Sequence, residues 1–258
     1  MKKGKMIFSS LLIISLLFLS CTQVGAEGAM NWYCKRNAEH KQITLDSNMK
    51  FIEEFGGVYL DKAHGDNAEE KVVYLTFDAG YENGNVAKIL DILRAEEVTG
   101  AFFILEHLIR NETELVMRMA DEGHTVCNHT CSHKDMTKVS SKEEFGAELK
   151  ALEDIYREYT GREMAKLYRP PEGRFDEKTL RFASELGYKT VFWSMAYADW
   201  DNNNQPSYET AMKKLTDNLH NGAIILLHPT SATNVSILPE FIKKLKAEGY
   251  RFGSLDEL

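Results

Sequence analysis

From residue 71 to its end the chain alternates short apolar runs with helix-like stretches, and that alternation leaves few folds open. Residues 72–77, 101–104, 124–127, 166–168, 190–193, 223–227 and 250–252 read as strands. Between them, 84–96, 111–122, 141–159, 176–186, 207–220 and 238–248 read as helices; in the first of these, Val86, Ile89, Leu90 and Leu93 share one face. Asn111 is expected to cap the second helix, and Ser141 with Glu144 to form a capping box on the third. Gly187 and Gly222 are placed to stop the fourth and fifth. Repeated strand–helix units imply a parallel sheet covered by helices. The runs VVYL and AIILL lack polar alternation, as strands buried on both faces do. A barrel and an open sheet both satisfy the pattern, and in both the site forms at the carboxyl ends of the strands.

The chemically capable residues fall at those ends. Asp78 follows VVYLTF, His129 and His133 close HTVCNHTCSH, Arg169 follows KLY, and His228 follows AIILL. Groups so far apart in sequence, all at the ends of apolar strands, suggest one assembled active site.

The rest of the chain sets bounds. A net charge of -8 offers no basic excess to displace counterions, which argues against nucleic acid as partner. Lys2, Lys3 and Lys5 precede an apolar run from Met6 to Leu19, and Val24-Gly25-Ala26 offers a cleavage site. Residues 1–26 therefore read as a signal peptide, or as an uncleaved anchor at the membrane surface, and the protein is expected outside the cytoplasm. Loss of the leader with Cys21 would leave Cys34, Cys127 and Cys131, an odd number that makes no disulfide framework. Residues 27–70 read as an extension packing on the main domain, 71–258.

His129 and His133 are four apart, a spacing that on a helical turn faces both imidazoles to one divalent ion. Two histidines capping a turn is the plainer alternative, and a four-ligand zinc site of Cys127, His129, Cys131 and His133 is a third. Asp78 is costly at the end of a buried strand unless paired or used, and Arg169 is a candidate partner. Ionised beside a cation and a water, Asp78 suits a general base; capping the next helix is its bland alternative. His228, tuned by Asp199, could protonate a leaving amine, or be a satisfied core histidine. Trp200, between Asp199 and Asp201, suits sugar stacking.

The ordered set TFDAGYENG, NHTCSH, RPPEGRF, YADW and LLHP resembles the five motifs of the polysaccharide deacetylase (NodB-homology) family. TFDAGYENGNV, with FIEEFGGVYLDK before it, is closer still to the spore-cortex N-acetylmuramic acid deacetylases of muramic δ-lactam synthesis. The resemblance implies a distorted (β/α) barrel of about seven parallel strands and a metal-dependent hydrolase removing N-acetyl groups. It assigns Asp78 as base, His129 and His133 as metal ligands, Arg169 as the group orienting the base, Asp199 as tuning residue and His228 as acid. Leu226 and Trp200 would hold the acetyl methyl, and Tyr81 would offer its amide to the oxyanion. The implied metal is zinc, and the implied partner is a peptidoglycan strand already stripped of stem peptide by an amidase. Two departures stand out: Ala79 replaces the aspartate that is the family's third metal ligand, and Ala196 stands where many members carry Asp. Deacetylation of N-acetylglucosamine, and a cell-wall-binding protein with a decayed site, are the competing readings.

Overall fold

The computed structural model describes residues 28–35 and 38–258, so the leader and Cys21 lie outside the described residues. In chain order the elements are β1 (Met30–Asn31), α1 (Phe51–Glu54), β2 (Lys71–Ala79), α2 (Val86–Ala95), β3 (Ala101–Ile104), α3 (Glu106–Asn111) and α4 (Thr113–Asp121). There follow β4 (Thr125–Asn128), α5 (Lys142–Thr160), β5 (Ala165–Tyr168), β6 (Arg174–Phe175), α6 (Glu177–Glu185) and β7 (Lys189–Thr190). The chain ends with β8 (Met195–Ala196), α7 (Tyr208–Asp217), β9 (Ala223–Leu227), α8 (Ala232–Ala247) and β10 (Tyr250–Phe252).

Seven strands run in the order β7-β5-β4-β3-β2-β9-β8, all parallel, with β10 added to the start of β2. The two edge strands belong to one stretch. Its start pairs with β5 through Thr190 and its end with β9 through Met195 and Ala196. That stretch joins the two sides and curls the sheet into the distorted barrel that the motifs imply. The extension helps close it: Val58 bridges to Val191, and Leu60 to Ala223.

Side chains alternate along each strand with period two, and this sorts the core. Val73, Leu75, Phe77 and Ala79 of β2, with Phe102, Ile104, Ala223, Ile225 and Leu227, meet α2, α4, α7 and α8 in one large cluster. Their neighbours Val72, Tyr74, Ala101, Phe103, Cys127, Leu167, Val191 and Ile224 form a second cluster on the concave face. A third cluster holds the extension, with Trp32, Ile52, Tyr59 and Leu60 against Phe175, Leu180 and Phe192.

Several expected details differ. Residues 106–121 form two helices that meet at Glu112; Asn111 ends the first and donates to His107 O instead of capping the second. Ser141 caps α5, but the Glu144 carboxylate accepts from Ser140 N, so the box closes one residue early. The expected strand at 190–193 leaves β5 after Thr190 because it crosses towards β9. Gly222 lies beyond the end of α7; its φ of 73° serves a close approach, since an added Cβ would stand 2.3 Å from Asp61 O. The last helix starts at Ala232, six residues early, because Ser231 caps it by accepting from Asn234 N.

Candidate active site

On the concave face the alternation of β2 runs Val72, Tyr74, Thr76, Asp78. Arg169 continues Leu167 in the same way. β3 and β4 lie between β2 and β5, so the long Arg169 side chain reaches Asp78 across the concave face of the curled sheet. Arg169 has no exposed surface and spends its guanidinium on four acceptors. Nη1 donates to Asp78 Oδ1 at 2.7 Å, Nη2 to Thr76 Oγ1 at 2.9 Å and Phe192 O at 3.4 Å, and Nε to Val191 O at 3.1 Å. Its plane also covers the Phe103 ring at 4.0 Å. Burial alone would raise the Asp78 carboxyl, but Arg169, then His129 and His228, more than offset it and hold it below the usual carboxylate range. Asp78 does not cap α2: Glu82 does, accepting from Val86 N at 2.8 Å.

The turn carrying His129 and His133 is not helical. Thr130 and His133 take positive φ, 70° and 57°, and this irregular turn brings the imidazoles together edge to face, 5.1 Å apart. His129 Nδ1 lies 2.9 Å from Arg169 O, which can only accept. The proton therefore sits on Nδ1, and Nε2 turns its lone pair to Asp78 Oδ2, 3.6 Å away. Burial pushes His129 down to about 4, so the ring is neutral at neutral pH.

No three His, Cys, Asp or Glu side chains among the described residues already stand close enough to hold a metal. In kind the donors still fit one: two imidazoles, the first with its tautomer fixed by a carbonyl, and the carboxylate oxygen that Arg169 leaves free. The four-ligand alternative does not fit. Cys127 lies in the concave core with its thiol towards Thr125 O, and the Cys131 thiol faces Glu106. Cys34, Cys127 and Cys131 are all free thiols.

His228 follows Leu226 on the concave face. Its Nδ1 lies 2.7 Å from Asp199 Oδ1, and its backbone N–H donates to Asp199 Oδ2 at 2.8 Å. Burial disfavours the charged ring, but the Asp199 hydrogen bond and charge, with Asp78 beyond, outweigh it and raise the His228 pKa above the ordinary histidine value.

One cavity of about 690 Å³ gathers Asp78, Tyr81, His129, His133, Trp200, Leu226 and His228. Arg169 and Asp199 stand behind it, each held against the residue it serves. Ala196 lines the cavity, whereas Ala79 packs in the outer cluster. Trp200 is 65% exposed at the rim, and the hydroxyl of half-exposed Tyr81 accepts from Asn202 Nδ2 at 2.7 Å. Trp193, expected in the core, and Glu172 and Tyr197, given no role by the motifs that contain them, also line the cavity. Counting by twos from Val191 would have found Trp193; Glu172 and Tyr197 stand inside RPPEGRF and YADW without an assigned role, and Glu172 takes its place through a φ of 57°.

A family model described as polysaccharide deacetylase matches residues 65–191. The chain is 39% identical over 230 residues to the peptidoglycan-N-acetylmuramic acid deacetylase PdaA of Bacillus subtilis, covering 89% of this chain and 85% of that protein. It superposes on the structure of Bacillus subtilis PdaA, a family 4 carbohydrate esterase, with a TM-score of 0.82 and 38% identity, covering 89% of this chain and 96% of the other. A peptidoglycan-N-acetylglucosamine deacetylase of Bacillus cereus is 30% identical over 194 residues, covering 73% of this chain and 88% of that protein. In its fold and over nearly all of its length, the chain belongs to the polysaccharide deacetylase family.

Proposed function

We propose that this protein removes the N-acetyl group from N-acetylmuramic acid in peptidoglycan, a step towards muramic δ-lactam in spore cortex. The observation that carries the reading is the pairing of two tuned groups across one cavity: Asp78 held by Arg169, and His228 held by Asp199. The likeness to PdaA selects the sugar.

In this reading Asp78 takes the proton of the attacking water through Oδ2, since Arg169 occupies Oδ1. His129 and His133 would hold a divalent metal, zinc by donor type, beside the Asp78 carboxylate. Such a metal supplies Lewis-acid stabilisation of the charge developing on the acetyl oxygen. The Tyr81 amide is assigned to the same oxyanion. Leu226, 5% exposed, and Trp200 bound the space for the methyl group and the sugar face. His228, kept protonated by Asp199, gives its proton to the departing amine nitrogen. The freed amine can close on an unsubstituted lactyl carboxyl with loss of water, so a strand stripped of stem peptide is the substrate assigned here. The protein then works outside the cytoplasm, at the cell wall or in the spore intermembrane space. Among the described residues no helix is long and apolar enough to cross a membrane. Residues 27–70 act as a buttress of the 71–258 domain.

Mass spectrometry of purified glycan strands, with and without attached peptides and with added zinc, tests this. Acetate loss confined to stripped muramic residues is expected. Loss from glucosamine residues would favour the second reading, for which the Bacillus cereus relative speaks.

A further inference from the structure

The acid half of the site has a third member that no motif contains. Asn234 sits in the first turn of α8 and has no exposed surface. Its Nδ2 donates to Asp199 Oδ2 at 2.6 Å and to His228 O at 2.9 Å. Both partners can only accept, so the amide nitrogen must face them, and both of its protons are spent. On its other side Oδ1 accepts from the Tyr197 hydroxyl. The backbone N–H is taken by the cap residue Ser231. Every polar atom of this side chain is thus engaged, and none reaches the cavity.

Asp199 is 1% exposed and is aimed by what holds Oδ2. Two donors converge on that oxygen, His228 N and Asn234 Nδ2, and they leave Oδ1 directed at His228 Nδ1. The His228 backbone belongs to the same group as the acid it serves. Asn234 alone ties the carboxylate to a separate element, the start of α8. We propose that Asn234 is a positioning residue for proton delivery, acting through Asp199 to fix the His228 imidazole. This rests on the deacetylase reading of the same site. Satisfying a buried helix terminus would use the same hydrogen bonds, so the test must separate aim from stability.

The experiment measures kcat, KM and thermal midpoint on deacetylation of stripped glycan strands by the full chain. Asn234→Ala is expected to lower kcat by about 10-fold or more, the scale of losing a group that orients an active one. KM should stay within about twofold, because Asn234 does not line the cavity. In an Asp199→Ala background, Asn234→Ala should cost less than about twofold further, since its target is gone. Asn234→Asp keeps the shape but sets an oxygen against two acceptors. Its kcat relative to the parent should recover as pH falls and the new carboxyl protonates to become a donor again. A full additive loss in the Asp199→Ala background, or a pH-independent defect in Asn234→Asp, would overturn the assignment. So would near-parental kcat in Asn234→Ala while Asp199→Ala is crippled. If the parent chain itself releases no acetate, the deacetylase reading fails instead; parental kcat in Asp199→Ala and His228→Ala would overturn the acid assignment through which Asn234 acts. Should Asn234→Ala not fold, the pH dependence of Asn234→Asp decides alone.

Discussion

Arg169 and Asp78 form a pair in which each makes the other tolerable. A guanidinium with no exposed surface would be costly alone, and it is balanced by four hydrogen bonds and an aromatic face. Asp78→Asn keeps an acceptor for Arg169 but cannot take a proton. Its kcat should fall by about 10² to 10⁴-fold while the circular dichroism spectrum is unchanged. Near-parental turnover would remove Asp78 from the mechanism. In the proposed mechanism the acid form of His228 must persist at working pH. Its raised pKa places the basic limb of kcat/KM above the ordinary histidine value of about 6.5. Asp199→Asn weakens the causes of that rise, so the limb should move to lower pH; an unmoved limb would belong to another group. Glu172 is different: it makes the cavity wall with φ 57° and ψ 11°, which only glycine adopts freely. Glu172→Gly should stabilise the fold by about 0.5–1 kcal/mol, read as a higher urea midpoint with an unchanged slope.

At the scale of elements, period-two counting made most of the site legible. Asp78, Arg169, Leu226 and His228 each fall on the parity of the concave core residues below them, Tyr74, Leu167 and Ile224. What stayed hidden depends on contacts between distant segments. The split at Glu112 and the crossing stretch from Thr190 to Ala196 have no local marker, and Asn234 is one more polar residue in a helical pattern. The role of β1 is hidden for the same reason. It pairs antiparallel with β6, and Trp32 N–H donates to Gly173 O at 2.8 Å, beside Glu172. The Trp32 ring stacks on Phe192 at 4.6 Å, and its Nε1 donates to Trp193 O at 2.8 Å. The extension therefore braces the wall formed by Glu172, Gly173 and Trp193. Trp32→Phe keeps the stack and loses one hydrogen bond, about 1 kcal/mol in urea unfolding. Trp32→Ala should cost about 3–5 kcal/mol and raise KM more than it lowers kcat. A stable Trp32→Ala with parental KM would show that the wall stands without the extension.

Across the whole molecule, histidines shifted in opposite directions shape stability against pH. His124 and His129 are both pushed down to about 4, first of all by burial. His124 Nδ1 accepts from Gly100 N at 3.2 Å, so a second ring proton would break a bond as well as charge the core. In the unfolded chain each titrates near 6.5, so between there and 4 the unfolded state binds protons that the folded state refuses. The stability these rings confer is complete above about 6.5 and is lost as pH falls towards 4, up to about 3 kcal/mol for each. His228 and His64 are raised instead, each against the burial it suffers, by Asp199 and by Asp61 respectively. Their contribution is complete below the unfolded value and is lost as pH rises through the folded one. The apo protein, melted in chelator from pH 7.5 to 4.5, should therefore lose thermal midpoint on the acid side, with the steepest fall below 6.5. His124→Asn keeps an oxygen near the position of Nδ1 to accept from Gly100 N and cannot take up charge. It should be less stable than the parent at pH 7.5, because the ring packed edge-on to Phe102 is gone, yet lose less on acidification. A slope parallel to the parent's would place the proton uptake outside His124 and leave His129, His220, which burial also pushes down, and the paired carboxylates to account for the acid transition.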